Sequence, residues 1–580
     1  MFKLLSRLGK YWWIVALMVV SILVNVTADC VLPTYLGQII GLLQAPNTDM
    51  GTIGVTAAGM LAVALLSGGS AILTGRLASK VTARLVAATR YEAFKRIGEF
   101  STMEMNKFSV SSLVTRTTSD LTFIGNTYNL FFRYILYGPA IAMVAIVLLF
   151  TSGPSVYPLA FYVLGALGLM IIFIIVIIFT SLKKYQQIQA KLDKVTLITR
   201  ENLEGLRVVR AYNAEKYQED KFAKHNDVLM RTERFANRGL GSLTPGIQLI
   251  IGALNILIFW TCSNLIPTGK LAYPLMSVVV QYAGLILAGF VLIAAIIVQM
   301  PRAIVCSKRV LEIIETEPEI KGAATSPEIK EEGTIEFKDV TFTYPGADKP
   351  VLSHISFKAE KGSTIAFIGA TGSGKSTLIN LLPRFFDCTQ GEVLVDGVNV
   401  KDYNLDDLNS RFGYVPQKGY LFHDSLVNNI TLGRPDASAP EIQRALDISQ
   451  STEFVSKLPG GLEYEISQGG KNVSGGQRQR LCIARAIIMR PEIFIFDDSF
   501  SALDYRTDKV LRGEIKKQCT GTTNVIVAQR VGTIMDADQI IVLDGGEMVG
   551  KGTHKELLKT CPVYKEIALS QLSKEELENE

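Results

Sequence analysis

The stretch Gly369-Ala370-Thr371-Gly372-Ser373-Gly374-Lys375-Ser376 has the spacing GxxxxGK[ST], with an apolar run ahead of it and Thr377-Leu378-Ile379-Asn380 behind it. Glycines at that spacing let a backbone wrap closely enough for its N–H groups to cradle phosphates. The helix start adds a favourable dipole, the lysine adds charge, and the hydroxyl holds a divalent metal. A phosphate cradle is therefore predicted from Gly369, Thr371, Gly372, Ser373, Gly374, Lys375, Ser376 and Thr377, with Mg²⁺ on Ser376. A second apolar run, Ile493-Phe494-Ile495-Phe496, ends in Asp497. A buried strand that delivers a carboxylate at its carboxyl end supplies the metal's second ligand, so the pair predicts a Mg-ATP site.

Such a site needs strands and helices in alternation. Strand signals at Thr334–Phe337 and Ser363–Ile368 alternate with helical runs, predicting an α/β domain with a largely parallel sheet over residues 333–570. A Pro-, Gly- and Glu-containing connector, 315–332, precedes it, and a charged tail, 571–580, follows.

The other half is of a different kind. Hydrophobic residues make up 48% of the 580 residues, and mean hydropathy is +0.27, too apolar for a soluble chain of this length. A bilayer core of roughly 30 Å needs roughly 20 apolar residues in a helix. Six stretches within 1–314 approach or meet that: Trp12–Val31, Ile53–Leu73, Ile135–Phe150, Tyr157–Phe179, Ile247–Leu265 and Leu271–Met300. The first begins eleven residues in and no small-residue cleavage pattern follows, so the start of the chain is expected to remain as helix.

Basic residues collect in Arg76–Arg133 and Lys183–Arg238, whereas the other three connections carry only Lys270. Loops rich in Lys and Arg stay inside, which predicts a multi-pass protein of the plasma membrane with both termini cytoplasmic. Helical composition in Ser181–Ile198 and Tyr212–Val228 predicts that helices run on below the bilayer toward the soluble domain. The net charge of +5 follows these loops and marks no nucleic-acid face. Seven cysteines without CxxC spacing suggest neither a zinc site nor a disulfide framework. Asp29, Asn255 and Gln281 are polar residues inside predicted spans and hence candidate substrate contacts. Asp29 is expected near the outer end of the first span, where a solvated structural acid is the plain alternative.

Val473-Ser474-Gly475-Gly476-Gln477 closely resembles the LSGGQ signature of the ABC ATPases, and Arg478-Gln479-Arg480 continues it. Tyr344, 25 residues before Gly369, is similar to that family's adenine-stacking aromatic. Gln417 in Tyr414-Val415-Pro416-Gln417 resembles its Q-loop glutamine, and Ser501-Ala502-Leu503-Asp504 its D-loop. In the membrane half, the run from Glu201 to Tyr212 resembles the second intracellular loop of ABC exporters, so the likeness covers nearly the whole chain. It implies a half-transporter in which two chains pair. ATP on one chain's phosphate loop and Mg²⁺ on Ser376, Gln417 and Asp497 would face the signature, here Ser474, Gly475, Gly476 and Gln477, of the other chain.

Two positions depart from that pattern. The family's water-polarising glutamate is replaced by Asp498, whose shorter reach is a displacement of the kind that costs on the order of 100-fold in rate. The switch histidine is replaced by Gln529, in Ala528-Gln529-Arg530; none of the four histidines stands there. Losing one such donor is worth roughly 100- to 1,000-fold. The expectation is a site that binds ATP and hydrolyses it slowly, in a heterodimer whose second chain brings the glutamate and histidine. That pattern is similar to asymmetric bacterial multidrug exporters and implies a small amphipathic substrate. A tolerant homodimer, lipid or peptide export, and a nucleotide-gated channel subunit are the alternatives.

Overall fold

The computed structural model describes residues 12–45, 49–329 and 331–572. Residues 573–580 of the expected charged tail, and the start of the chain before the first span, lie outside them. The chain divides into two compact units. One takes the residues up to Gly98 together with Ser109–Thr316; the other takes Glu99–Phe108 and everything from Glu317.

Among the described residues of the first unit, six helical stretches are long and apolar enough to cross a membrane. Helix α1 is Trp12–Gln44, α2 is Met50–Gly98, and the short α3, Thr102–Phe108, belongs to the second unit. Next come α4 (Val110–Thr115), a π-helical turn at Arg116–Asp120, α5 (Leu121–Tyr134) and α6 (Tyr137–Thr151), which together make the third crossing. Then follow α7 (Tyr157–Glu204), α8 (Leu206–Ala211), α9 (Glu215–Gly241), α10 (Leu243–Leu265) and α11 (Tyr273–Glu315). The 48-residue α7 is ~70 Å long at 1.5 Å per residue, well over twice a bilayer core. Apolar runs in the sequence thus mark only the membrane-length part of each helix; polar segments such as Ser181–Ile198 prolong it. Large apolar side chains stay exposed along the spans, Leu65 at 69% and Trp260 at 72% among them, as lipid-facing positions do.

α1 also runs past its expected end at Val31, because the apolar pattern resumes after Pro33, a proline the helix absorbs. Asp29 accordingly stands near the middle of α1 rather than close to its end.

The second unit is built on a six-stranded sheet in the order β12-β11-β3-β10-β9-β6. Its strands are β3 (Thr364–Ile368), β6 (Phe412–Val415), β9 (Ile493–Asp497), β10 (Thr523–Val527), β11 (Gln539–Asp544) and β12 (Glu547–Gly552). All pair in parallel except the edge strand β12. The central strands β9 and β10 are buried at every position. Because side chains alternate, Ile365, Phe367, Ile493 and Ile495 enter one core, while Ala366, Ile368, Phe494 and Phe496 enter the other. A smaller antiparallel sheet, ordered β2-β1-β4-β5, packs on the first face; its strands are β1 (Ile335–Phe342), β2 (Leu352–Ala359), β4 (Gln390–Val395) and β5 (Val398–Asn399). The domain is α/β, with a largely parallel core.

Candidate active site

Parallel register brings the site together. Val527 at the end of β10 pairs with Phe367 of β3 on one side and Asp497 of β9 on the other, and Val415 of β6 pairs with Phe496. The loops leaving these four strands therefore emerge at one edge of the sheet, and they carry Gly369–Ser376, Asp498, Gln529 and Gln417. Ligands of open parallel sheets bind at this carboxyl edge.

A cavity of about 310 Å³ opens there, lined by Thr371, Gly372, Gly374, Lys375, Ser376, Thr377, Gln417, Asp497, Asp498 and Gln529, with Val351 and Val527. Ser376 Oγ donates to Asp497 Oδ1 at 2.9 Å. Lys375 Nζ arches back over the loop, donating to the carbonyls of Gly369 at 2.9 Å and Ala370 at 2.8 Å. The loop admits nothing larger than glycine at its ends: a Cβ at Gly369 would collide with the Leu543 carbonyl oxygen, and one at Gly374 would lie 2.7 Å from Leu352 Cδ2. Gly374 also sits at φ +91°, a region β-carbons disfavour. This tight cradle, a lysine over it and a serine–carboxylate pair beneath it form a donor set that fits the phosphates and Mg²⁺ of ATP.

Burial dominates the electrostatics. It pulls the Lys375 ammonium below the usual lysine range, against the attraction of Asp498 and Asp497. Burial likewise pushes the Asp497 carboxyl up; the Ser376 hydrogen bond and Lys375 oppose the shift, and Asp498 adds to it. A metal cation at Asp497 and phosphate anions at Lys375 would each offset one of these costs.

Asp498 is held in a way the sequence did not disclose. Its backbone is left-handed at φ +47°, and its N–H donates to Val527 O at 2.9 Å. Its Oδ2 accepts from two amides, Gln529 Nε2 at 3.0 Å and Gln417 Nε2 at 3.3 Å. The two substituted positions thus touch each other. Gln529 is fixed from behind by Gln571 at the end of α15 (Pro562–Gln571), whose Nε2 donates to Gln529 O at 2.8 Å and whose Oε1 accepts from Val531 N at 2.9 Å. No motif pointed to Gln571, which lies 42 residues from its partner.

Other expected residues stand apart from this cavity. Tyr344 donates to or accepts from Thr377 Oγ1 at 3.0 Å, and its ring stands edge-on to Phe342 and Phe386. The signature opens α13 (Gly475–Ile488): Ser474 Oγ accepts from Gln477 N, and Gln477 Oε1 accepts from Ser474 N, a reciprocal cap that leaves Ser474 and Gly475 exposed. Neither Ser474, Gly475, Gly476 nor Gln477 lines the cavity. Asp504 caps α14 (Tyr505–Gln518) through Thr507 N at 2.9 Å. In the first unit Asp29 accepts from Ser67 and Tyr137, Asn255 is half-buried on α10, and the Nε2 of Gln281 on α11 is buried with no hydrogen-bond partner among the described residues.

Residues 15–290 match the family described as ABC transporter transmembrane region, and residues 352–501 match that described as ABC transporter. The chain is 34% identical over 574 residues to an uncharacterized ABC transporter ATP-binding protein of Mycobacterium tuberculosis, covering 98% of this chain and 97% of that one. It is 28% identical to the ATP-dependent lipid A-core flippase of Vibrio vulnificus, covering 95% and 94%. In fold it resembles a bacterial Atm1-family ABC exporter with ATP bound, with a TM-score of 0.81 at 22% identity and coverage of 97% and 98%.

Proposed function

The chain belongs to the ABC transporter family, as an exporter-type fusion of membrane and ATPase regions, and from that premise we propose that it is the weakly hydrolysing half of a heterodimer that exports small amphipathic molecules. The observation that carries this reading is the double engagement of Asp498 Oδ2 by Gln529 and Gln417. A general base needs a free lone pair within reach of the water it polarises. Here the carboxylate is a methylene short, and two amides hold one of its two oxygens, which fixes its orientation. Gln529 donates to that carboxylate and, unlike histidine, cannot become cationic toward a γ-phosphate.

Binding, by contrast, has all its parts. Lys375, Ser376, Asp497 and the glycine cradle are together in one cavity, and Mg-ATP supplies the driving energy for transport when bound. Ser474 and Gly475 are exposed and remote from that cavity, which suits a signature that completes a partner chain's site. Two copies of this chain would hold two poor sites; a partner with glutamate and histidine at the substituted positions supplies a good one. The bilayer to be crossed is the plasma membrane of a bacterium, with both termini cytoplasmic, as the basic loops favour.

ATP turnover of the purified chain, alone and with its partner half, tests this. The expected result is slow turnover alone and fast turnover in the pair, with Lys375→Ala in this chain costing the pair little of its hydrolysis. Robust turnover by the chain alone, abolished by Lys375→Ala, would sink it. The likeness to lipid A-core flippases favours one second reading, lipid translocation. Flipping of a fluorescent lipid, without accumulation of soluble amphiphiles in inside-out vesicles, would select that reading.

A further inference from the structure

A second cavity in the ATPase unit, of about 380 Å³, shares no lining residue with the nucleotide cavity. It lies on the face of the main sheet away from the small antiparallel one, where Phe496, Phe500 and Ile526 give it an apolar floor. One wall is α14, through Lys509, Arg512, Gly513 and Lys516. The other is the short helix Val531–Ile534 and the turn after it, through Thr533 and Asp536.

Two features of the lining define what would fill it. Asn524, near the start of β10, is only 9% exposed. Its Nδ2 donates to the Thr522 carbonyl at 3.2 Å, which sets the orientation of the amide, and its Oδ1 is buried with no hydrogen-bond partner among the described residues. A buried acceptor without a donor is costly, and a donor brought by a ligand recovers that cost. The second feature is charge. Arg512 is met by Asp508, Nε to Oδ1 at 2.8 Å, but Lys509 and Lys516 have no carboxylate partner among the described residues. Asp536 has no cationic partner there either, so the lining keeps one net positive charge. The complementary ligand is a small organic monoanion with an apolar ring system and one hydrogen-bond donor.

Both walls lead to the nucleotide site. α14 is capped by Asp504, the end of Ser501–Asp504, and the opposite helix directly follows Gln529 and Arg530. Three hydrogen bonds tie the two sides together: Arg512 Nη2 to Gly532 O at 3.3 Å, Thr533 Oγ1 to Asp508 Oδ2 at 3.4 Å and Arg530 Nη2 to Ser501 O at 3.3 Å. A ligand lodged between them bears on the loop that holds Gln529 against Asp498. We propose that this cavity is an effector site for small aromatic monoanions, Asn524 taking their donor and Lys509 and Lys516 their charge, and that its occupancy sets the rate of ATP turnover. The proposal goes beyond the export reading and stands on the ATPase region alone.

Equilibrium binding of radiolabelled indole-3-acetate to the full chain in lipid nanodiscs tests it. This probe has a carboxylate on one side and a single N–H on the other; 1-methylindole-3-acetate lacks the donor, and indole-3-acetamide lacks the charge. Saturable binding of the first is expected, with each analogue weaker by about tenfold or more, and joint replacement Lys509→Gln with Lys516→Gln costing as much. Gly513→Phe fills the cavity without threatening the fold, since a Cβ at Gly513 meets nothing within 4 Å and a helix interior gains by losing a glycine. That variant is expected to lose the probe and to bind a fluorescent ATP analogue as the wild type does. At saturation the probe is expected to change wild-type ATP turnover about fivefold, with half of the change at the binding constant, and to leave turnover of Gly513→Phe unmoved. Equal affinity in wild type and Gly513→Phe would overturn the site, and equal affinity for all three probes would overturn the ligand class. Wild-type turnover unmoved at saturation would overturn the effector role. No arm uses a partner chain or transport, so failure of the export reading is read separately from failure of this site.

Discussion

At the scale of single residues, the contact between Asp498 and Gln529 makes the two departures from the family one feature. Because Gln529 Nε2 reaches Asp498 Oδ2 at 3.0 Å, replacing either alone leaves the other mismatched. The double replacement Asp498→Glu with Gln529→His is expected to raise the turnover of the isolated chain by roughly 100-fold or more, and each single one by much less. Steady-state phosphate release from the four proteins measures this; additive single effects would show that the positions act independently. The residues of the cradle were legible in the sequence because their information is local: a glycine spacing, one lysine and one hydroxyl between a strand and a helix. Gln571, Ser67 and Tyr137 were not, since each reaches its partner from another element, 42, 38 and 108 residues away, and no local pattern encodes such a meeting.

Among the elements, parallel register turns separate motifs into a site, and a buried ion cluster helps to anchor it. Asp396, in the turn between β4 and β5, accepts from Gly333 N at 2.6 Å and pairs with Arg411 Nη1 at 2.6 Å; Arg411 also pairs with Glu492 at 2.9 Å. The cluster joins the entry of the domain to the starts of β6 and β9. Burial pushes the Asp396 carboxyl up to about 6, Glu492 adds to the shift and Arg411 opposes it. With a folded value above the ordinary aspartate value of about 3.9, Asp396 takes up a proton more readily folded than unfolded. Its contribution to stability is full below about 3.9 and is lost as pH rises through about 6. The thermal midpoint of wild type relative to Asp396→Asn is therefore expected to be higher at pH 5 than at pH 7.5; a difference independent of pH would refute the assignment. Strand positions were visible in the sequence as apolar runs, whereas this cluster was not, because its charges look like ordinary surface residues until the turns bring them inside. The helices show the same limit: hydropathy found their membrane-length parts and left the polar extensions to composition.

For the whole molecule, the chain passes between its two units at Gly98, Phe108 and Thr316, so α3 is grouped with the ATPase although its neighbours on both sides belong to the membrane unit. Nothing in a seven-residue segment as plain as Thr102–Phe108 announces this. The attachment centres on Glu104. Its carboxylate accepts from Ser101 N at 2.8 Å, Ser101 Oγ at 2.6 Å and Glu319 N at 3.1 Å, and Met103 packs against the ATPase core. Burial pushes the Glu104 carboxyl up, but the hydrogen bonds from Ser101 and Glu319 outweigh it and hold the group below the usual glutamate range. Charged hydrogen bonds of this kind are worth about 1.5–3 kcal/mol each against an unpaired partner. α3 is joined to α2 through Glu99–Ser101 and to α4 through Ser109 alone, so the chain itself ties this helix of the ATPase unit to two span-bearing segments. Glu104→Ala is expected to loosen that hold while sparing the nucleotide cavity, none of whose lining residues lies near it in sequence. ATP affinity should then stay within about twofold of wild type while substrate-stimulated turnover and vesicle uptake fall by roughly tenfold, the loss expected from about 1.4 kcal/mol of coupling. Parallel loss of ATP affinity and uptake would instead mean that α3 supports the fold of the ATPase and carries no coupling.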